Sequence, residues 1–256
     1  MIKSIIIKPL RKLLRYLGID IVRYNPVTFK TIYPDFDTDS VEIIQRVKDL
    51  TMTSPEMIFA LCEAVRYINS HNIPSDIVEC GVWKGGSMMA VAHMLLKLND
   101  VNRNLYLFDT FEGMPPPSDI DVNLEGFSAE TLLRDSKKDE KIWAYAPLES
   151  VRQAISATNY DPKKIYFIQG MVEETIPNQA PENISILRLD TDWYESTRHE
   201  LIHLFPRLVK GGIIIIDDYG YWQGARKAVD EYFIENKIGL FLTRADFAGR
   251  IGVKIS

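Results

Sequence analysis

Cysteine is scarce in this chain, and several other shortages narrow what it can be. Two cysteines, Cys62 and Cys80, in 256 residues leave no disulfide framework and no cysteine-based zinc site. That usage fits the reducing cytoplasm, with both thiols in the core. Long apolar runs are missing at the N-terminus, where the longest is Ile5 to Ile7. That is too short for a signal h-region or a membrane span. Positive charge is not in excess: the net charge of −5 argues against nucleic acid as the main partner. Internal repeats and low-complexity tracts are absent. Phosphate-cradling motifs are absent too. The glycines of "VECGVWKGGSMMA" (78–90) fit neither G-x-G-x-x-G nor G-x-x-x-x-G-K-[ST].

What is present is a globular composition, 46% apolar and 25% charged, sufficient for one large domain and a small appendage. The charge is uneven. Residues 1–24 carry six Lys/Arg and one Asp, leaving 24 basic and 34 acidic residues for the remainder. Residues 1–50 are therefore expected to be a basic, amphipathic helical extension of a main domain at 51–256. Such a helix packs on a partner subunit of a homo-oligomer, or lies on an anionic membrane surface through residues 1–24.

"TSPE" (53–56) reads as a capping box with Thr53 as N-cap and Pro55 in the first turn. The helix after it has apolar positions at Met57, Leu61, Ala64 and Val65. Strands and helices then alternate. The strands are "DIVECG" (76–81), "LYLFDT" (105–110), "IYFIQG" (165–170), "ISILRLD" (184–190) and "GGIIIIDDYG" (211–220), and "GLFLTR" with "RIGVKIS" closes as a β-hairpin. This rhythm predicts an α/β fold: a doubly wound, mostly parallel, seven-stranded sheet covered on both faces, Rossmann-like. Residues 111–160 interrupt it at the ligand-binding edge and read as a lid, with a helix near 147–158.

Carboxylates stand at four of the five parallel strand ends: Glu79, Asp109, Asp190, and the pair Asp217 and Asp218. Clustering them is costly without a cation. Asp190 and Asp217 are one crossover apart, so adjacent strands bring them together with Asp218. Oxygen-only ligands favour Mg²⁺ over zinc. Asp109 suits a ribose diol, Gly81, Gly85 and Gly86 let a ligand approach the backbone, and Glu79 suits an amino group. A cofactor with an adenosyl group, an amino-acid tail and a sulfonium charge, S-adenosylmethionine, meets all three.

"DIVECGVWKGGS", "LFDTFEGMP", "LRLDTDWYEST" and "GGIIIIDDYG" together resemble the macrocin O-methyltransferase (TylF/MycF) family, across roughly residues 50–235. The resemblance implies a class I S-adenosylmethionine methyltransferase fold and Mg²⁺-dependent methylation of sugar hydroxyls on a glycan, nucleotide sugar or glycosylated natural product. It implies metal ligation by Asp190, Asp217 and Asp218, with Asp190 also the base. It implies cofactor contacts at Thr51, Met52, Glu79, Cys80, Gly81, Trp83, Gly85, Ser87, Asp109, Thr110, Phe111, Gly113, Gln169 and Gly170. The basic N-terminal segment reads more like relatives in surface-polysaccharide clusters than like antibiotic-tailoring enzymes, which bears on the acceptor and not on the chemistry.

In the expected mechanism two neighbouring sugar hydroxyls chelate Mg²⁺, Asp190 takes the proton, and the oxygen attacks the sulfonium methyl in line. Trp83, Trp193, Tyr194, Tyr219, Tyr221 and Trp222 are candidates for lining a sugar pocket or facing the sulfonium. Two rivals share these motifs: a glycosyltransferase using "DTD" (190–192), and a non-catalytic relative. The first leaves Glu79 and the Asp217–Asp218 pair unused; the second sits poorly with an intact ligand set. "HELIH" (199–203) matches the zinc-protease pattern, but its histidines lie opposite the stripe of Leu201, Leu204, Phe205 and Leu208, on a face expected to meet water. His71 and His93 read as structural.

Overall fold

The computed structural model describes residues 33–255, with Leu14 and Tyr16 before them. The expected extension at 1–24 thus falls almost wholly outside the described residues. The chain divides into two units, Met1–Phe36 and Asp37–Ser256. In the first, Tyr33 and Phe36 stack at 4.6 Å. The second begins earlier than the expected boundary at residue 51. The reason is α1 (Thr38–Val47), which buries Ile43, Ile44 and Val47 in the main core.

Helix α2 (Pro55–Ser70) starts one residue later than the capping reading proposed. Ser54, not Thr53, is the N-cap, its hydroxyl accepting from Met57 N at 3.1 Å, and Pro55 opens the helix. Met57, Leu61, Ala64 and Val65 are buried as expected. Both Ser and Thr cap helices well, and Thr53 is engaged elsewhere. Strand β1 (Asp76–Cys80) follows, then the glycine turn and α3 (Gly86–Lys97), then β2 (Leu105–Asp109). The insertion carries α4 (Ala129–Asp135) and leads to α5 (Leu148–Ser156). Next come β3 (Ile165–Gln169), the single-turn α6 (Val172–Thr175), β4 (Ile184–Leu189), α7 (Tyr194–Leu204), β5 (Leu208–Ile216) and α8 (Gln223–Glu235). The chain closes with β6 (Thr243–Arg244) and β7 (Arg250–Val253).

The described strands form one seven-stranded sheet in the order β3-β2-β1-β4-β5-β7-β6. β1 to β5 are parallel; β7 runs antiparallel to β5, and β6 to β7. The order reverses between β1 and β4, the switch point where open α/β sheets bind ligands. Strand alternation divides the core. Val78, Cys80, Leu187, Leu189, Ile214 and Ile216 pack with Leu201, Leu204, Val229 and Tyr232 of α7 and α8. The intervening residues, Ile77, Glu79, Ile186 and Arg188 among them, face the other side, where α2 packs on β4 and β5.

The insertion has a small core of its own. Ala129, Leu133, Trp193, Trp222 and Ala225 are buried together, with Met114, Ile142, Trp143 and Tyr221 against them. Trp193 and Trp222 meet edge to face at 4.8 Å. Asp121, fully buried, ties the insertion down: Oδ2 accepts from Ser118 N and Oγ at 2.7 Å, and Oδ1 from Tyr194 N, at the start of α7, at 2.8 Å.

Candidate active site

Backbone hydrogen bonds continue one residue past the strands and fix the height of each strand-end side chain. Gly170 N donates to Asp109 O (3.0 Å), Gly81 N to Phe108 O, Asp190 N to Cys80 O and Asp217 N to Leu189 O (2.9 Å each). The last two put Asp190 and Asp217 level on adjacent strands, with Asp218 next. One carboxylate oxygen from each of these three lies within 4.8 Å of the others. This is the one such group of three or more potential ligands among the described residues. Gly81 makes the crowding feasible. It sits at φ +83°, and a Cβ there would overlap the carbonyl oxygen of Asp190, so only glycine lets β1 and β4 close this tightly.

Beneath the cluster lies Arg188, whose side chain is 3% exposed. Nη1 donates to Glu79 Oε1 (2.8 Å) and Asp190 Oδ2 (2.6 Å); Nη2 donates to Asp217 Oδ1 (2.8 Å) and Thr53 Oγ1 (2.7 Å). Glu79 and Arg188 are paired across β1 and β4, so both project to the same face. Three carboxylates (Glu79, Asp190, Asp217) share this one guanidinium, and Asp192 and Asp218 crowd in beside Asp190. The crowding is visible in their acidities. Burial, against the pull of Arg188, pushes Glu79 up to about 8. Burial and the nearby Asp190 push Asp192 up to about 7. Burial and neighbouring carboxylates hold Asp217 and Asp218 well above the usual carboxylate range. Such a cluster calls for a positive ligand, and an all-oxygen donor set suits a hard divalent cation. The 4.8 Å spread is close to the roughly 4.2 Å between opposite ligands of a small octahedral ion.

The carboxylates of Asp190, Asp192, Asp217 and Asp218 line a cavity of about 520 Å³, a volume typical of cofactor and small-molecule sites. The glycine turn (Gly81, Trp83, Ser87), Thr51, Met52, Asp109, Thr110, Gly113 and Gly170 line it, as do Asp190, Asp217 and Asp218. These are the sequence-predicted residues that come together. The insertion adds Met114, Pro115, Lys141 and Ile142, and Tyr221 and Trp222 close the wall. A cavity lined by both a glycine turn and a group of carboxylates suits a cofactor with an amino-acid tail and a sulfonium.

Five predicted cofactor residues do not reach the cavity wall. Glu79 turns inward to Arg188, and its Oε2 has no hydrogen-bond partner among the described residues. Cys80 is buried in the core and its thiol is pushed well up by that burial, as Cys62 is, to about 12. Gly85 backs onto Val151 and Ile155 of α5. Phe111 is 3% exposed and lies 6.4 Å from Phe167. Gln169 ends the edge strand β3. Asp109 lines the cavity, yet its oxygens are already used. They accept from Val82 N (2.6 Å), Trp83 N (2.9 Å) and Phe111 N (2.6 Å), so the carboxylate shapes the glycine turn from below.

Of the aromatic candidates, Trp83, Tyr221 and Trp222 line the cavity. Trp193 is in the core of the insertion, its Nε1 donating to Pro115 O at 3.0 Å. Tyr194 and Tyr219 bond Glu231 and Asp230 of α8 instead. The histidines of "HELIH" are half-buried rather than facing water: His199 Nε2 is 3.0 Å from Ile176 O, and the His199 and His203 rings meet tilted, with centroids 4.4 Å apart. The glutamate between them, Glu200, is buried and accepts from Thr191 Oγ1 at 2.9 Å.

Sequence reasoning overlooked Arg188, Thr53 as its partner, and Asp192 as a wall residue. A charged residue inside an apolar parallel strand was the available signal for Arg188, since such a group demands partners. Asp192, at φ +66°, had a weaker one in its adjacency to the Asp190 strand end.

The family described as Macrocin-O-methyltransferase (TylF) matches residues 35–251. A tetracenomycin-C-class 4′-O-methyltransferase from Streptomyces olivaceus, named for 8-demethyl-8-(2,3-dimethoxy-alpha-L-rhamnosyl)-tetracenomycin C, is 33% identical over 183 residues, 71% of this chain and 67% of that protein. Mycinamicin III 3″-O-methyltransferase from Micromonospora griseorubida is 31% identical over 189 residues, 71% of this chain and 69% of that one. Among solved structures, the O-methyltransferase NovP superposes with a TM-score of 0.72 at 24% identity, covering 85% of this chain and 100% of its own. The glycine turn, the cavity and the fold thus agree with the sequence match: the chain belongs to the macrocin O-methyltransferase (TylF) family and is an S-adenosylmethionine-dependent O-methyltransferase.

Proposed function

We propose that this enzyme methylates a sugar hydroxyl, and that Asp190, Asp217 and Asp218 hold the Mg²⁺ the reaction uses. The observation that carries this is the three-carboxylate cluster opening into the same cavity as the glycine turn. The rhamnosyl group in the name of the Streptomyces olivaceus relative supports a sugar acceptor, as does a cavity wall bearing Tyr221 and Trp222. When bound, S-adenosylmethionine supplies an electrophilic methyl group and Mg²⁺ a Lewis acid that makes a hydroxyl easier to deprotonate.

The chain does the rest. The turn from Gly81 to Ser87, with Thr51 and Met52 opposite, holds the donor. Met114, Ile142, Tyr221 and Trp222 orient the sugar and exclude water, and such positioning is worth about 7–11 kcal/mol when complete. Asp192 is better suited than Asp190 to receive the hydroxyl proton. Asp190 Oδ2 already accepts from the Arg188 guanidinium at 2.6 Å, and its other oxygen is the one left for the metal. Asp192 lines the cavity, and its affinity for protons is raised to about 7, near the optimum for a base at neutral pH.

The test is incubation of the protein with S-adenosylmethionine and a panel of sugar-bearing acceptors, in Mg²⁺ or in EDTA, with mass spectrometry for one added CH₂ unit. Transfer only in Mg²⁺ is expected, lost in Asp217→Asn with affinity for the methyl donor retained. Full transfer in EDTA would remove the metal from the mechanism, and transfer only to non-sugar hydroxyls would remove the sugar.

A further inference from the structure

Arg188 occupies an unusual place. Its neighbours in β4, Leu187 and Leu189, are buried, and its own side chain is almost wholly out of water. A buried guanidinium is retained only where its donors are satisfied. Here all four hydrogens of the terminal nitrogens are used, three on carboxylates and one on Thr53. Charge alone does not explain this. A divalent cation between Asp190, Asp217 and Asp218 would leave one of their three negative charges over, which a guanidinium balances but which a lysine in its place would balance as well. What Arg188 adds is a rigid fork that fixes which oxygens remain available.

Asp190 Oδ2 and Asp217 Oδ1 are both held by Arg188. Asp218 Oδ2 is held by the backbone N–H of Asp192 at 3.1 Å. Asp190 and Asp217 therefore each have one oxygen occupied by the guanidinium and one left over. A cation chelating both oxygens of Asp190 or Asp217 would be drawn toward the guanidinium, in an interior that screens the repulsion poorly.

We propose that Arg188 is a positioning residue that enforces one-oxygen ligation by Asp190 and Asp217, and thereby biases the site toward Mg²⁺ and against Ca²⁺. The inference rests on the metal reading above. Mg²⁺ demands compact octahedral geometry from single oxygens and waters, whereas Ca²⁺ takes more ligands at longer distances and gains from bidentate carboxylates. Removing the fork frees both carboxylates to chelate. Lysine keeps the charge but cannot span Glu79, Asp190 and Asp217 at once.

The experiment is calorimetric titration of the metal-stripped full chain with MgCl₂ and, separately, CaCl₂, for the native protein, Arg188→Lys and Arg188→Gln, without methyl donor or acceptor. The expected result is that the ratio of Ca²⁺ to Mg²⁺ dissociation constants falls by at least about tenfold in both variants, the scale of outer-shell effects on metal sites. A role that is merely structural would weaken both cations together; an unchanged ratio in a variant folded by circular dichroism overturns the proposal. Infrared difference spectra of the native protein test it even if neither variant folds. Carboxylate stretches split widely, as for one-oxygen ligation, are expected with Mg²⁺; the narrower splitting of bidentate ligation overturns the proposal while leaving the metal site intact. No heat and no spectral change with either cation would overturn both this inference and the metal reading.

Discussion

Gly81→Ala is the substitution to which the site is most exposed. Gly81 has φ +83°, and an added Cβ would overlap Asp190 O and stand 2.5 Å from Asp190 C. Neither atom can rotate away, because Asp190 N is bonded to Cys80 O at 2.9 Å. A left-handed alanine costs about 1–2 kcal/mol. Forcing extra volume against fixed atoms adds about 1–3 kcal/mol, so the loss should be about 2–5 kcal/mol. For a domain of this size that lowers the melting temperature by roughly 4–20 °C. Gly126→Ala is the control. Gly126 also has a left-handed φ, +91°, but nothing lies within 4 Å of its would-be Cβ, so only the smaller backbone cost applies. Thermal unfolding by circular dichroism, with and without Mg²⁺, reads both effects. Mg²⁺ at a hundredfold its dissociation constant should stabilise the native protein by about 2.7 kcal/mol. Gly81→Ala should lose much of that gain, because its strain falls on the backbone that carries Asp190. If Gly81→Ala melts with Gly126→Ala and keeps the full Mg²⁺ increment, the close approach of β1 and β4 does not have the consequence assigned to it.

Other outcomes follow from the same geometry. Glu79 (about 8), Asp192 (about 7), Asp217 and Asp218 all hold protons more tightly in the folded chain than an ordinary carboxyl does. Their contribution is therefore fully present at low pH and is lost as pH rises from about 4 through 8. The urea midpoint in EDTA should fall across that window and Mg²⁺ should flatten the fall; an EDTA curve that rises toward pH 8 refutes the assignment. Asp192→Asn should lower kcat by about 10²–10⁴-fold with little change in Mg²⁺ affinity by calorimetry; near-native kcat removes Asp192 as the base. Asp121→Ala strips acceptors from Ser118 N and Tyr194 N and should cost about 2 kcal/mol or more, with faster hydrogen exchange concentrated in residues 111–147. Exchange raised evenly over the whole chain argues against an anchoring role.

Periodicity carried the sheet, because short apolar segments bounded by turns and separated by helices have few other solutions. β5 begins at Leu208 rather than Gly211, a difference within the reach of strand-end pairing that no local pattern reports. The three metal-ligand candidates were legible because each stands at a strand end and the crossover between two of them is short. Glu79 was not. Its inward turn depends on being level with Arg188 across β1 and β4, and register between strands far apart in sequence is set by packing. The same contact explains the displaced helix cap. Thr53 and Ser54 are equally good cap residues locally, and only a guanidinium arriving from β4 decides that Thr53 serves Arg188. The insertion was legible as an interruption at the ligand-binding edge, but its own small core was not, since residues 111–147 show no helical or strand period.

That small core has a consequence for how such enzymes can be re-engineered. Two of its members lie just past the carboxylate-bearing segments: Trp193 directly follows 190–192, and Trp222 comes four residues after Asp218. Transplanting the stretch 111–147 from a homologue to alter acceptor preference would leave a hybrid with mismatched indole sockets. The misfit would be felt first by the loops that carry Asp190, Asp217 and Asp218, so the insertion and those loops have to be exchanged as a unit.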